Sequence, residues 1–176
     1  IVLKSEQRPR DTASAGVTGE TILQGYKLDG SLLWTINLGK NIREGAHYTQ
    51  FMVYDLDGDG QAEIVCKTAD GTVDGTGKVI GDPSADWRDM NQGSRNYGKL
   101  QSGPEFLTVF DGLTGKALAS ANYIPTREPK DGWGGLGGNG GNDQGGNRND
   151  RFLACVAYLD GVRPSVVMCR GYYTRA

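Results

Sequence analysis

The sequence lacks the features that several large classes of protein require. No apolar run approaches the roughly 18 residues of a membrane-spanning helix. Residues 1–20 also lack the apolar core of a signal peptide, although a mature or processed chain has the same appearance. With 19 basic and 21 acidic residues, the net charge of −2 provides no general attraction to nucleic acid or to membrane surfaces. We therefore expect neither of these as a partner.

Histidine and cysteine are too scarce and too scattered for a zinc-type site. The single histidine, His47, excludes a site with several histidine ligands. The three cysteines, Cys66, Cys155 and Cys169, are odd in number, have no metal-ligand spacing and each lie in an apolar run. We expect three buried thiols that pack as small hydrophobic groups.

Glycine, in contrast, is abundant, at 28 of 176 residues against an average usage of about 7%. The glycines have no Gly-X-Y period, which excludes collagen. They lie in turns and loops between short apolar runs, and this distribution favours an all-β, turn-rich fold.

Four segments share one pattern, in which an Asp-Gly pair separates two apolar runs. Asp and Gly both tolerate positive φ, so such a pair between β-rich runs predicts a hairpin. The segments are residues 22–38, 51–67, 106–121 and 152–170, with turns at Asp29-Gly30, Asp57-Gly58, Asp111-Gly112 and Asp160-Gly161. The second and fourth align without gaps from the turn onward, which matches Lys67 with Arg170.

Two kinds of hairpin therefore alternate along the chain. This order is typical of a β-propeller, in which each blade is a four-stranded sheet made of two hairpins. Residues 22–38 would form half a blade, residues 51–121 a whole blade and residues 152–176 another half. A propeller requires at least about four blades to close, so the chain would be roughly two blades' worth of strands from a larger protein. A β-sandwich with coincidental turns is the alternative.

Two long connections interrupt the hairpins. Residues 69–104 form an insertion within the whole blade and carry aromatic side chains such as Trp87, so we expect them to be ordered. Residues 125–150 form a Gly-rich loop in which glycine pairs alternate with Asn and Asp. Connections of this length are usually functional or disordered.

The turn of the second hairpin has the composition of a calcium-binding loop. Aspartates occupy positions 1, 3 and 5, glycine position 6 and glutamate position 9. Calcium takes about six to eight oxygen ligands, and glycine at position 6 permits the sharp turn that brings alternate carboxylates together. The predicted ligands are Asp55, Asp57, Asp59, the backbone carbonyl of Gln61 and Glu63.

This loop differs from an EF-hand, whose glutamate stands at position 12 and begins a helix. Here a β-rich run follows Glu63, so we expect the calcium spacing on a hairpin, with the ion stiffening the turn. A catalytic ion and a metal-free turn are the alternatives. The matching turn at Asp160 continues with Val162 and Arg163 and lacks the ligands.

Several long strings of residues carry a resemblance to a known family. The longest, Trp34-Thr-Ile-Asn-Leu-Gly-Lys-Asn-Ile-Arg-Glu-Gly-Ala-His-Tyr-Thr-Gln50, continues into the calcium loop. Further strings are residues 67–77, 103–112, 150–153 and 170–175. They resemble rhamnogalacturonan lyases of polysaccharide lyase family eleven over nearly the whole chain from about residue 20. The Gly-rich insertion around residues 132–147 is longer than is usual in that family.

The resemblance implies an eight-bladed β-propeller several times longer than this chain, several bound calcium ions and a secreted or periplasmic location. It also implies a pectic polysaccharide partner, rhamnogalacturonan-I, cleaved by β-elimination at galacturonate. In that reaction a base removes the C5 proton and the oxygen on C4 departs. A cation at the C6 carboxylate neutralises the developing charge. The remaining blades of the parent protein would complete the site.

Four residues are candidates for substrate binding on this interpretation. Lys67 and Arg170 occupy equivalent strand ends, so we expect them to face a central channel, where cations suit a polyuronate. Arg43 lies in the same loop as His47, and Tyr172 is expected to stack on a sugar ring. Solvated strand-end charges and ordinary packing of the tyrosine are the alternatives. The sequence names no catalytic base.

Two other classes of function stay open at this stage. One is a calcium-dependent propeller module that binds carbohydrate or protein without catalysis, and the other is a purely structural repeat. Formation of an unsaturated product from rhamnogalacturonan-I separates the lyase from both. Binding without that product favours the binding module.

Overall fold

The computed structural model describes residues 1–127 and 150–171, and these residues have an all-β architecture. They contain eleven strands and no helix, so none of them forms a helix able to cross a bilayer. The strands are β1 (Val2–Ser5), β2 (Ile22–Tyr26), β3 (Leu32–Asn37), β4 (Phe51–Tyr54), β5 (Glu63–Ala69), β6 (Thr72–Val73), β7 (Val79–Ile80), β8 (Glu105–Asp111), β9 (Ala117–Asn122), β10 (Phe152–Ala157) and β11 (Ser165–Arg170).

The strands form three antiparallel sheets in the described part of the chain. Their orders are β1-β2-β3-β6-β7, β4-β5-β8-β9 and β10-β11. Each of the four predicted Asp-Gly hairpins is present, as β2–β3, β4–β5, β8–β9 and β10–β11. The four-stranded sheet covers the segment that was predicted to form a whole blade. The first hairpin differs from a simple half blade, because β1 pairs on one side of it and β6 on the other.

The turns use glycine in two different ways. Three Asp-Gly turns have positive φ at the glycine: Gly30 (88°), Gly58 (84°) and Gly161 (76°). In the turn between β8 and β9 the residue with positive φ is Gly115 (68°) and not Gly112. Gly112 is required for a steric reason, because a Cβ at this position would collide with the carbonyl oxygen of Ala62.

Short turns and long connections lie at opposite ends of the four-stranded sheet. Residues 55–62 and 112–116 join neighbouring strands at one end, here called the turn end. Residues 70–104 join β5 to β8 at the other end, here called the connection end. Glu63 and Lys67 stand four positions apart on β5, which at about 3.3 Å per residue separates the two ends by about 13 Å.

The hydrophobic core lies between the five-stranded and four-stranded sheets. It consists of Leu23, Trp34, Ile36, Leu38, Ile42, Ile64, Cys66, Ala69, Ile80 and Phe110. Strand β5 is buried along its whole length, as expected for a strand with neighbours on both sides. The indole N–H of Trp34 donates to the carbonyl of Gly112 at 2.9 Å, which joins the two sheets.

The cysteines are free thiols in three different environments. Cys66 is buried as predicted, Cys169 is half-buried and Cys155 is exposed. The prediction of three buried thiols is therefore confirmed for Cys66, met only in part by Cys169 and wrong for Cys155. Among the described residues β10 pairs only with β11, and alternate side chains of such a sheet point away from the core.

Some sequence predictions fall outside the described residues. The Gly-rich loop predicted over residues 125–150 is described only at its two ends. The predicted half blade 152–176 is described as far as residue 171, and Tyr172 lies outside the described residues.

Candidate functional site

The predicted calcium loop forms the turn between β4 and β5. Carboxylate oxygens of Asp55, Asp57 and Glu63 all lie within 4.8 Å of one another. Three ionised carboxylates at this separation repel one another unless a cation neutralises them. Oxygen donors of this kind are the ligands that calcium prefers, so the chemistry of the three residues fits the predicted ion.

Backbone amides bind all three of these carboxylates, and Asp57 accepts from the N–H of Asp59 at 3.2 Å. Asp55 accepts hydrogen bonds from the N–H groups of Gly58 at 2.7 Å and Gly60 at 3.0 Å. Both glycines have positive φ, 84° and 89°, which curls the backbone around the Asp55 side chain. Glu63 accepts from the N–H of Leu56 at 2.8 Å, so the first residue of β5 is bound back to the start of the turn.

The two other predicted ligands lie beside this group. One carboxylate oxygen of Asp59 accepts from the backbone N–H of Gln61 at 2.7 Å, and the other accepts from its side-chain amide at 3.2 Å. This is the local turn that Asp readily forms with the backbone two residues on. The structure therefore brings Asp55, Asp57 and Glu63 together and does not bring Asp59 into the same group.

A cluster of charged side chains lies at the connection end. Its centre is Glu105, the first residue of β8. One oxygen of its carboxylate lies 3.0 Å from the Lys67 ammonium and 2.9 Å from the Arg127 guanidinium. The other oxygen accepts a hydrogen bond from Arg170, and Asp150 lies 3.6 Å from Lys67. We call these five residues the Glu105 cluster.

The Glu105 cluster is buried. No more than 8% of any of its five side chains is exposed. Burial opposes ionisation of Glu105, but the charges of Lys67, Arg127 and Arg170 outweigh this effect. They hold the pKa of Glu105 well below its ordinary value, so the carboxylate is ionised and paired.

Two aromatic rings complete the surroundings of these cations. The Lys67 ammonium lies 4.0 Å from the ring centroid of Phe152, and the Arg170 guanidinium lies 4.8 Å from it. Both distances are in the range of cation–π attraction. Tyr123 meets Phe152 edge to face at 5.6 Å and donates its hydroxyl to the carbonyl of Cys169. The cluster thereby connects β10 and β11 to the four-stranded sheet.

The structure brings Lys67 and Arg170 together, as their equivalent positions predicted, but it buries both side chains. A cavity of about 480 Å³ lies beside the cluster and is lined in part by Glu105, Arg127 and Tyr123. Among the three cations of the cluster, Arg127 is the one that lines this cavity.

Arg43 has a different environment from the one that its candidate role requires. It is 2% exposed. Its guanidinium donates to backbone carbonyls of Arg10, Asp11, Ser14, Gly16 and Gly98 at 2.9–3.3 Å. Burial lowers the pKa of Arg43. The side chain thus binds two segments of this chain together, whereas the nearby His47 is exposed.

Sequence reasoning missed the centre of the cluster. Glu105 opens a strand that is otherwise mostly apolar or β-branched, and Arg127 follows that sheet after β9. The available signal was the pair of matched cations, Lys67 and Arg170, since two buried cations at equivalent strand ends require a carboxylate between them.

Comparison with known proteins decides the family. The chain matches the family described as rhamnogalacturonan lyase family 11, C-terminal domain, over residues 1–176. The chain belongs to rhamnogalacturonan lyase family 11.

Two family 11 relatives from Bacillus subtilis (strain 168) show how much of a complete protein the chain represents. It is 58% identical to rhamnogalacturonan endolyase YesW over 176 residues, which cover 99% of this chain and 26% of YesW. It is 59% identical to rhamnogalacturonan exolyase YesX over 166 residues, which cover 94% of this chain and 25% of YesX. The chain therefore spans about a quarter of the length of these relatives.

Solved family 11 structures have the same backbone fold over the matching quarter. The TM-score is 0.88 to the crystal structure of YesX and 0.85 to that of YesW, each at 57% identity. It is 0.88 to the Bacillus licheniformis rhamnogalacturonan lyase PL11 at 55% identity. Each match covers 98% of this chain and 26% or 27% of the solved chain.

Proposed function

We propose that the full-length protein is a lyase that cleaves the rhamnogalacturonan-I backbone of pectin by β-elimination at galacturonate. The observation that carries this proposal is the identity of 58% and 59%, over almost the whole chain, to an endolyase and an exolyase of rhamnogalacturonan. A secreted or periplasmic location accompanies the proposal, because pectin is a polysaccharide of the cell exterior.

The fold in which this chain takes part is proposed to be an eight-bladed β-propeller. A four-stranded antiparallel sheet between two further hairpins supports this arrangement. The hairpin β10–β11 and the turn between its strands also present large apolar side chains to solvent, among them Leu153, Leu159 and Val162. Surfaces of this kind are normally covered, and the remaining blades of the parent protein are the proposed cover.

Calcium is proposed to bind at the turn end, held by Asp55, Asp57 and Glu63. The ion would supply positive charge that neutralises the three carboxylates and stiffens the hairpin. The turn end lies about 13 Å along β5 from the Glu105 cluster, at about 3.3 Å per residue. This separation supports a structural role for the site and not a direct role in bond cleavage.

The proposed contribution of this chain to substrate binding is the connection end. Galacturonate carries a carboxylate, and a concentration of fixed cations attracts a polyuronate. The Glu105 cluster holds three cations against two carboxylates, which leaves an excess of one formal positive charge, and Arg127 lines the adjacent cavity. Removal of the C5 proton becomes easier when positive charge stabilises the carboxylate beside the carbanion. We therefore propose that Arg127 faces the substrate, and that Lys67 and Arg170 help to hold it in position through their shared partner, Glu105.

The test is incubation of the full-length protein with rhamnogalacturonan-I while ultraviolet absorbance of the unsaturated uronate product is followed. Product should form from this polymer and not from polygalacturonate, which lacks rhamnose. Absence of product contradicts the proposal, and binding without product supports a carbohydrate-binding propeller module instead. The isolated chain of residues 1–176 should release no product, because residues of other blades are needed to close the site. Cleavage by the isolated chain would show that this part suffices.

A further inference from the structure

The ring of Trp87 is partly exposed at the connection end although its polar groups are bound inside the protein. Trp87 is 39% exposed. Its indole N–H donates to the carboxylate of Asp70 at 2.9 Å, and its backbone N–H donates to the side-chain oxygen of Asn41 at 2.8 Å. Asp70 is 6% exposed and Asn41 is 4% exposed. Two buried groups from different connections therefore fix the orientation of the ring.

One side of the indole packs directly against the backbone of Gly103. A Cβ at Gly103 would lie 2.5 Å from Cγ and 2.7 Å from Cδ2 of Trp87. The exposed part of the ring is consequently on the side away from Gly103. The same glycine lines the cavity beside the Glu105 cluster, so Trp87 contacts a residue of the cavity lining without lining the cavity itself.

These contacts explain how the insertion of residues 69–104 is anchored, but they do not use the exposed part of the ring. An aromatic side chain that is already fixed in orientation loses little conformational entropy when a ligand stacks on it. Its π-face is apolar and partially negative, and it attracts the C–H groups on the face of a pyranose ring. Trp87 is therefore preorganised to bind a flat apolar surface.

The charges nearby indicate which kind of sugar fits. Asp86 forms a two-point ion pair with Arg88, at 2.8 Å and 2.6 Å, and lies 4.0 Å from Lys40. The backbone N–H of Asp82 donates to the same Asp70 carboxylate that binds the indole. Hydrogen bonds to Arg88 and Ser84 lower the pKa of Asp86 and Asp82 respectively, so both are ionised. Lys40 and Arg88 offset the charges of these two carboxylates, so this surface has no excess of positive charge to attract a uronate. Its carboxylates can still accept hydrogen bonds from the hydroxyls of a neutral sugar.

We propose that Trp87 is a stacking platform for a neutral sugar ring of the polysaccharide, which in the substrate proposed above is rhamnose. The identity of the sugar rests on the proposed function. The platform itself rests on the fixed, partly exposed indole, and the choice of a neutral sugar rests on the balanced charges around it. The platform forms a subsite outside the cavity and takes no part in proton transfer.

The experiment compares Trp87→Ala and Trp87→Phe in the full-length protein. Calorimetric binding to rhamnogalacturonan-I oligosaccharides and steady-state rates are both measured. Truncation of an aromatic anchor typically weakens binding by about tenfold or more, so W87A should raise Kd and KM by about tenfold and leave kcat within about twofold. W87F keeps one aromatic ring and loses the indole N–H and the area of the second ring, so its Kd and KM should stay within about threefold. Met90→Ala, at a residue of the same insertion that is 50% exposed, should change neither value.

Several outcomes would overturn the platform. These are an unchanged Kd in W87A, equal losses in W87A and W87F, or a fall in kcat and melting temperature with KM constant. An equal weakening of binding to oligogalacturonate, which contains no rhamnose, would overturn the assignment of a neutral sugar. Binding that depends on Trp87 without cleavage would support the platform and contradict the lyase. Cleavage whose Kd and KM do not depend on Trp87 would support the lyase and contradict the platform.

Discussion

The ammonium of Lys67 lies 3.0 Å from the carboxylate of Glu105, and both side chains are buried on neighbouring strands. Arg127 and Arg170 contact the same carboxylate. One acidic residue therefore pairs with cations from β5, from β11 and from the segment after β9. Its removal leaves buried positive charges without their common partner, which is the costly case for an ion pair in a protein interior.

Glu105→Gln should strongly destabilise the protein, because glutamine keeps the shape and loses the charge. Breaking a buried ion pair from one side costs about 3–5 kcal/mol. The measurement is the free energy of unfolding in urea. Glu20→Gln is the matched control, since Glu20 is exposed and accepts a hydrogen bond from the side chain of Asn37. A loss in E105Q no larger than that in E20Q would contradict the importance of the cluster.

The same carboxylate predicts how stability depends on pH. The pKa of Glu105 in the folded protein is far below its ordinary value of 4.5, so its contribution is fully present above about pH 4.5. The contribution is lost progressively as the pH falls from there toward the folded pKa. Unfolding free energies measured between neutral and acidic pH should fall less steeply in E105Q than in the wild type. Parallel pH curves for the two proteins would count against this account.

Asp55→Asn combined with Asp57→Asn should remove one bound calcium ion from the full-length protein. A ligand present at about 100 times its Kd stabilises the folded state by about 2.7 kcal/mol, so the calcium-dependent part of the melting temperature should shrink. Calcium content and melting curves with and without a chelator provide the measurement. Asp160→Asn, in the matching turn, is the control and should retain the full calcium response. Equal calcium content in the double variant and the wild type would exclude the site.

Arg43→Lys should loosen the segment of residues 10–16. Lysine keeps the charge, but its three donors cannot reproduce the five hydrogen bonds that the guanidinium makes to backbone carbonyls. Hydrogen bonds from charged groups contribute about 1.5–3 kcal/mol each, so we expect a loss of at least about 2 kcal/mol and faster amide exchange in residues 10–16. Arg10→Lys is the control because Arg10 is exposed and bonds one carbonyl. Similar exchange rates in the two variants would contradict this prediction.

Gly112→Ala should destabilise the protein more than Gly30→Ala. A Cβ at Gly112 collides with the backbone of Ala62, whereas a Cβ at Gly30 meets no atom within 4 Å. Alanine at position 30 would have to adopt the left-handed backbone conformation, which lowers the free energy of unfolding by about 1–2 kcal/mol. Alanine at Gly112 must displace a strand end, and overpacking typically costs about 1–3 kcal/mol or more. The melting temperature of G112A should be lower than that of G30A. The opposite order would show that the turn between β8 and β9 can rearrange at little cost to accommodate the added Cβ.

The hairpins were predictable because their signals are local. An Asp-Gly pair specifies its own turn, and the apolar runs on either side specify the strands, so the pairs around Asp57 and Asp160 follow from a few adjacent residues. The edge strands of the five-stranded sheet do not follow from adjacent residues in this way. Strand β6 contains two residues and joins β3 through one pair, Asn37 with Val73. No periodicity exists in so short a segment, and its pairing depends on where the long connection returns.

The candidate site was likewise predictable only where its residues are close together in the sequence. Asp55, Asp57 and Glu63 lie within nine residues, so their spacing was enough to predict that they converge, while the side chain of Asp59 turned instead to its neighbour Gln61. Glu105 is 38 positions from Lys67 and 65 from Arg170. No sequence pattern connects groups so far apart. The partners of Arg43 are backbone carbonyls, which every residue has and which no sequence reveals.

The division of the four-stranded sheet into a turn end and a connection end also determines where the sequence is free to vary. At the turn end, Gly112 and Ala62 are in such close contact that neither side chains nor extra residues can be added without moving a strand. At the connection end, lengthening a loop costs free energy only logarithmically with its length. Insertions and deletions among relatives should therefore accumulate beside the proposed substrate site. New substrate specificities would therefore arise at the connection end, while the turn end keeps its sequence.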